Sequence, residues 1–196
     1  MIHSIKFLED WRCFKIDDTI DFRPGINLLV GGQGTGKSSI LQALMASGKI
    51  RVWGDLAKKV KVKSDVTEVR AFDFEKDSLR TRPDITDDIR TQVSLMFASH
   101  GQANMAMISA LSRFKNLVVL MDEPDMALSV RSISKLVNIF KEAMTNGCQV
   151  IAAVHNPFLI WSFPEVFSLE TRTWITYGEF FTSQLYEGVN NESVFN

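Results

Sequence analysis

The stretch "GGQGTGKSS" at residues 31–39 carries little side chain until Lys37. Gly31, Gly36, Lys37 and Ser38 fit G-x-x-x-x-G-K-[ST], the spacing of a loop whose backbone N–H groups converge on phosphate oxygens. Gly32, Gln33, Gly34, Thr35 and Gly36 supply the cradle, and glycines permit the positive φ that such a turn needs. Lys37 is then expected to face the β- and γ-phosphates. The Ser38 hydroxyl is expected to ligate Mg²⁺, with Ser39 completing the contact set. The chemistry in view is that of a bound nucleoside triphosphate.

Holding the metal's water shell calls for a carboxylate at the end of a neighbouring buried strand. "NLVVLMDE" (116–123) ends in two acids. Asp122 is assigned to Mg²⁺, and Glu123 to orienting or deprotonating the attacking water. Alone, an acid pair is as well explained by a solvated strand end. Coupled to the phosphate loop and an apolar run, it favours a catalytic reading. Two of the three histidines also sit in motif-like company, His100 in "SHGQ" and His155 closing "IAAVHN".

Such residues must be positioned by particular elements. "INLLV" (26–30) supplies a strand before the loop, and "ILQAL" after it opens a helix from about Lys37 to Ala46. Residues 2–8 and 11–22 are β-patterned, and "RPG" (23–25) turns the chain into the loop's strand. "KIRVW", "KKVKVKSD" and "VTEVRAFDF" read as three further strands. Helical spacing follows over Asp84–Ser99 and from about Gln102 to Ser112. Val130, Ile133, Leu136, Val137, Phe140, Ala143 and Met144 form one helical stripe that stops at Gly147, and "QVIAAVHN" is another buried strand. The expected fold class is α/β: a mixed, parallel-rich core sheet, an antiparallel β-layer from the N-terminal third, and a small helical lobe at about 84–112, all in a single domain spanning 1–196.

A chain of 196 residues with 45% hydrophobic composition can bury a sizeable core. Its net charge of −1 lacks the bulk basicity of a nucleic-acid coat or membrane-surface binder. Cys13 and Cys148 lack metal-ligand spacing, which fits a reducing cytoplasm. "MIHSIKFLEDW" lacks the features of a signal peptide. No apolar run reaches the roughly 18 residues of a membrane span.

In these motifs the chain resembles the ATP-binding-cassette (ABC) class of ATPases. The resemblance is to a small soluble "predicted ATPase" branch related to recombination and chromosome-maintenance ATPases. Phosphate loop, "SHGQ" signature, "LVVLMDEP", "DMALS" and "VHNP" stand in the family's order over residues 31–157. The opening "IKFLEDWRCFKIDDTIDFRPGINLLVGG" and the segments "FDFEKDSLR" and "FPEVFSLE" extend the likeness over most of the chain. The resemblance implies a P-loop NTPase of the ABC type that binds and hydrolyses ATP with Mg²⁺ as a homodimer sandwiching the nucleotide. Ser99, Gly101 and Gln102 of one subunit would contact the γ-phosphate held by the P-loop of the other. His155 would sense that phosphate and steady the catalytic water, and Asp125 would lie near the dimer seam. Gln102 agrees with the transporter form of the signature, whereas His100 departs from the transporter glycine. The transporters' glutamine loop is left open among Asp73, Glu75 and Gln92. Trp11 and Arg12 sit where the family places groups near the nucleotide, and a core tryptophan beside a surface arginine explains them equally well.

"KIRVWGDLAKKVKVK" (49–63) is the strongest local charge imbalance. Lys59, Lys61 and Lys63 alternate with valines, the pattern of a solvated edge strand, which is favoured over a nucleic-acid contact. The acid-rich span 65–88 reads as an exposed arm. Three functions compete: an ATPase driving a DNA-repair or defence system through a nuclease-like or other effector, a nucleotide-gated module with little turnover, and a transporter's nucleotide-binding subunit. Glu123 and His155 favour turnover. Ser39 and Ser99 are 60 residues apart, too few for long coiled-coil arms. DNA contact stays open.

Overall fold

The computed structural model describes residues 1–47, 55–66, 68–74 and 100–191. Strands buried on both faces are mainly apolar, as the three central ones are apart from Asn27, Asp122 and Gln149. β3 (Ile26–Val30), β6 (Val118–Asp122) and β7 (Gln149–Ala153) form the middle of a six-stranded sheet ordered β5-β6-β7-β3-β8-β9. β5 (Val69–Asp73) and β8 (Glu165–Ser168) join this parallel set, and β9 (Thr173–Thr176) closes it as the antiparallel arm of a hairpin.

Alternation along these strands splits the core in two. Leu29, Val118, Leu120, Ile151, Ala153 and Phe167 face one layer, made by helix α1 (Lys37–Ser47), α2 (Leu56–Lys59) and a three-stranded antiparallel sheet. That sheet is ordered β2-β1-β4, from β1 (Ile2–Phe7), β2 (Thr19–Asp21) and β4 (Val60–Ser64). Leu28, Val30, Val119, Met121, Val150 and Ala152 face the other layer. It comprises α3 (His100–Ser109), the 3₁₀ turn Ala110–Arg113, α4 (Val130–Thr145), α5 (Pro157–Trp161) and the start of α6 (Tyr177–Asn191). Ser129 caps α4, its hydroxyl accepting from the Ser132 N–H at 3.3 Å.

The expected parallel-rich sheet and antiparallel layer are both present, with three differences in detail. "VTEVRAFDF" does not extend the layer: β5 pairs in parallel with β6, because its apolar residues serve the central sheet. Residues 11–18 are a tight turn, with an isolated Trp11–Phe14 bridge and Arg12 at φ 54, so only Thr19–Asp21 of the 11–22 segment is strand. Val130 and Met144, at the two ends of the α4 stripe, are exposed because the helix overhangs its core there. β4 is an edge strand in which Lys61 and Lys63 are exposed, whereas Lys59 pairs with Glu9. "KIRVW", the 84–99 helical run, residues 75–88 of the acid-rich 65–88 span, Glu75, Gln92 and Ser99 lie outside the described residues. Of the described acids in that span, Asp65 and Glu68 are exposed, whereas Asp73 is buried at the end of β5 and belongs to the central sheet rather than to an exposed arm.

Candidate functional site

The loop between β3 and α1 reverses tightly. Gly34 and Gly36 take φ 81 and 100. A Cβ on Gly36 would lie 2.4 Å from Cys13 Sγ and 2.7 Å from the Phe14 ring, so only glycine fits. Phe14 is itself fixed by a stack on Phe7 at 4.2 Å. Thr35 Oγ1 donates to the Gly32 carbonyl at 2.9 Å, while Gln33 and Gly34 are exposed and line the cleft.

Lys37 is buried, and its Nζ donates to the Gly31 and Gly32 carbonyls at 2.7 and 2.9 Å. Burial pushes its pKa below the usual lysine range, opposed by the negative charges of Glu123, Glu170, Asp122 and Asp125 in decreasing order. Ser38 Oγ donates to Asp122 Oδ1 at 3.0 Å, bringing the two expected metal-holding groups together across 84 positions of chain. Both are hard oxygen donors beside a phosphate loop, which fits Mg²⁺, an ion that keeps waters and phosphate oxygens in its shell. No group of three or more His, Cys, Asp or Glu among the described residues would cage a metal by itself. Arg12 Nη1 donates to Ser39 Oγ at 2.9 Å while its guanidinium lies 4.7 Å from the centre of the Trp11 ring. Trp11 packs against the core, and Arg12 is exposed and lines the cleft with the P-loop.

Glu123 directly follows β6 at φ 55, a left-handed conformation uncommon for a residue with a Cβ. Its N–H still donates to the Ala153 carbonyl at 3.1 Å. Glu123 Oε1 lies 3.1 Å from His155 Nε2, and both side chains are open to solvent, 38% and 49% exposed. They line the same cleft as Lys37 and Ser38. Asp125 is buried, and its Oδ2 accepts from the backbone N–H groups of His155 and Asn156 at 2.8 and 2.5 Å. The 123–129 loop also carries the start of α3: a Cβ on Gly101 would fall 2.5 Å from the Ala127 carbonyl, and Asn104 Nδ2 donates to the Met126 carbonyl at 3.2 Å. Gln102 is exposed on α3.

Sequence reasoning missed two contacts. Glu170 Oε1 accepts from the Gly32 N–H at 2.5 Å, and Arg172 donates to the Cys13 carbonyl at 3.2 Å while stacking 4.5 Å over Phe14. The one available signal was the place of Glu170 at the end of "FPEVFSLE", a segment noted for its resemblance alone.

Residues 7–145 match the family model AAA_23, an AAA domain. No curated protein matches the chain significantly. Among solved structures it is similar to one described as a metal-chelate type ABC transporter in an inward-facing conformation. That match has a TM-score of 0.58 and 16% identity, covering 91% of this chain and 85% of that one. It is also similar to CbiO1 of Clostridium perfringens, part of the ABC transporter complex CbiONQ, with a TM-score of 0.53, 13% identity and coverage of 96% and 94%. These identities speak to the fold. The described residues contain no helix long and apolar enough to cross a membrane. A P-loop and an acid-ended neighbouring strand within a mixed sheet flanked by a β-layer, together with the family match, lead to one conclusion: the chain belongs to the AAA domain family and has the P-loop NTPase fold of ABC ATPase domains.

Proposed function

We propose that the chain hydrolyses ATP as a nucleotide-sandwiched homodimer, with residues 1–196 acting as one cassette. The observation that carries this reading is the Glu123–His155 pair, 3.1 Å apart at the mouth of the cleft floored by Lys37 and Ser38. Gly32 to Ser39 bind the phosphates. Lys37 gives up its carbonyl partners to face them. Ser38 and Asp122 hold Mg²⁺, which when bound neutralises charge on the phosphate oxygens. Glu123 accepts the proton of the attacking water, and His155 steadies that water through its ring nitrogen.

The same two side chains support the dimer. A hydrolytic site works best closed to bulk water, and this one is open on the Glu123–His155 side. In the proposed pair, Ser99, Gly101 and Gln102 of the second copy close it. The task is that of a motor or switch in a DNA-repair or defence-type system, acting through a nuclease-like or other effector in the cytoplasm. Transport and gating without turnover are the rival uses of the same fold.

Mixing two inactive variants tests the shared site. A Lys37→Ala chain cannot use its own P-loop but offers an intact signature, and a Ser99→Arg chain does the reverse. Together with ATP and Mg²⁺ they should recover partial hydrolysis, above either alone. In gel filtration, Glu123→Gln should shift from monomer to dimer with ATP. No recovery and no shift would together sink the dimer, and an effector should be sought by co-purification with and without DNA.

A further inference from the structure

The peptide unit joining Gly31 to Gly32 is gripped from both sides. In a trans peptide the N–H and C=O point in opposite directions. Here the Gly32 N–H meets Glu170 Oε1 at 2.5 Å, and the Gly31 carbonyl meets Lys37 Nζ at 2.7 Å. Fixing one end therefore aims the other.

Glu170 is itself held rigidly. β8 pairs with β3 through Leu29↔Phe167 and Val30↔Ser168, and the Leu169 N–H donates to the Val30 carbonyl at 3.0 Å. The residue before the clamp is thus bonded to the residue before the loop. Glu170 Oε2 accepts from Gln184 Nε2 of α6 at 3.3 Å. The fit at Gly32 is close, since a Cβ there would sit 3.2 Å from Glu170 Oε1. Glu170, β8 and Gln184 lie beyond residue 145, where the family match ends.

We propose that Glu170 is a positioning residue that clamps the first peptide of the P-loop and whose negative charge sets how tightly the loop holds a triphosphate. Its two effects oppose one another. The hydrogen bond keeps the loop in one shape before ligand arrives, which favours binding by removing an ordering cost. The carboxylate charge stands beside a loop that must receive further negative charge, which disfavours binding. The proposal rests on nucleotide binding at the P-loop.

Two substitutions separate the effects. Glu170→Gln removes the charge and keeps an acceptor for the Gly32 N–H, with the Gln184 amide turning to present its oxygen to the new NH₂. Glu170→Ala removes both charge and acceptor. ATP affinity is measured by equilibrium binding, and exchange of the Gly32 amide is followed by NMR in nucleotide-free protein. Glu170→Gln should bind ATP roughly 3- to 10-fold more tightly than the parent, a gain that shrinks at high salt. Glu170→Ala should bind roughly 3-fold or more weakly than Glu170→Gln, and its Gly32 amide should exchange at least about 10-fold faster than in the other two. Binding by Glu170→Gln no tighter than the parent overturns the charge effect. Equal binding and equal Gly32 exchange in the Gln and Ala variants overturn the clamp. If the parent binds no ATP, the nucleotide reading fails instead, and Gly32 exchange still decides the clamp.

Discussion

The two sides of the cleft satisfy their polar groups differently. On the P-loop side, Lys37 is buried against two carbonyls, Ser38 is bonded to Asp122, and Arg12 to Ser39. On the other side, Glu123 and His155 meet each other in the open. A group that grips phosphate gains from being held in place before ligand arrives, because less ordering is left for binding. A group that activates water has to meet a water and a second surface, so exposure there is consistent with a site finished from outside. On the proposed function, the comparison divides the molecule into a binding half built within one chain and a turnover half that a second copy would close.

The sharpest way to break that division is to remove the charge on the binding side. Lys37→Ala should weaken ATP binding roughly 30-fold or more, since loss of one partner in a desolvated charge contact costs about 2–5 kcal/mol. Near-parental affinity in a direct binding assay would show that Lys37 is not part of the binding half. On the other side, Glu123→Gln should leave affinity within about 2-fold and cut turnover by about 10²–10⁴. His155→Ala should follow the same pattern more weakly. A Glu123→Gln chain that hydrolyses at the parental rate removes the general-base assignment. A His155 variant with altered affinity moves that residue into the binding half.

What the sequence makes legible follows the same line. The P-loop, its flanking strand and helix, and the acid pair of β6 are contiguous, so pattern and spacing are enough to find them. β5 reads as a strand, but membership of the central sheet is decided by pairing with Val118–Asp122, nearly 50 positions away. The turn at Arg12 hides in a β-patterned stretch, because a positive φ at a non-glycine residue leaves no compositional trace. Glu170 escapes for a similar reason. Its partner is a backbone N–H 138 positions distant, and any acid at a strand end looks alike until the β8–β3 register is known.

Asp125 joins the two halves, and its loss should be felt as stability. Its Oδ2 takes the His155 and Asn156 N–H groups, fixing the turn that carries His155 and starts α5. Asp125→Ala leaves two part-buried donors unmet, at a cost of about 2 kcal/mol in denaturant unfolding. It should also lower turnover with a smaller change in ATP affinity. Asp125→Asn keeps an acceptor and should cost less. Equal losses in the Ala and Asn variants would mean that the charge, rather than the two backbone hydrogen bonds, is what matters there.

The smallest effect tests whether the binding half is held ready at a cost. Burial lowers the Lys37 pKa in the folded, nucleotide-free chain below its unfolded value of 10.5. Between the lowered folded value and 10.5 the unfolded chain binds more protons, so the Lys37 contribution to stability rises with pH across that window. Below the window the buried ammonium penalises the fold in full. Lys37→Met deletes the titration while keeping an unbranched chain. It also strands the Gly31 and Gly32 carbonyls, a loss that does not vary with pH and so shifts the variant's curve without tilting it. The informative quantity is therefore the slope: stability of the parent minus that of Lys37→Met, from urea unfolding at successive pH values from 7 upward, should climb toward pH 10.5. Exposed lysines such as Lys61 and Lys63 titrate in both proteins and cancel. Saturating ATP should flatten the climb, because bound phosphates favour the charged amine. A difference that stays level or falls as pH rises in the nucleotide-free proteins would mean that Lys37 rests in the loop without strain.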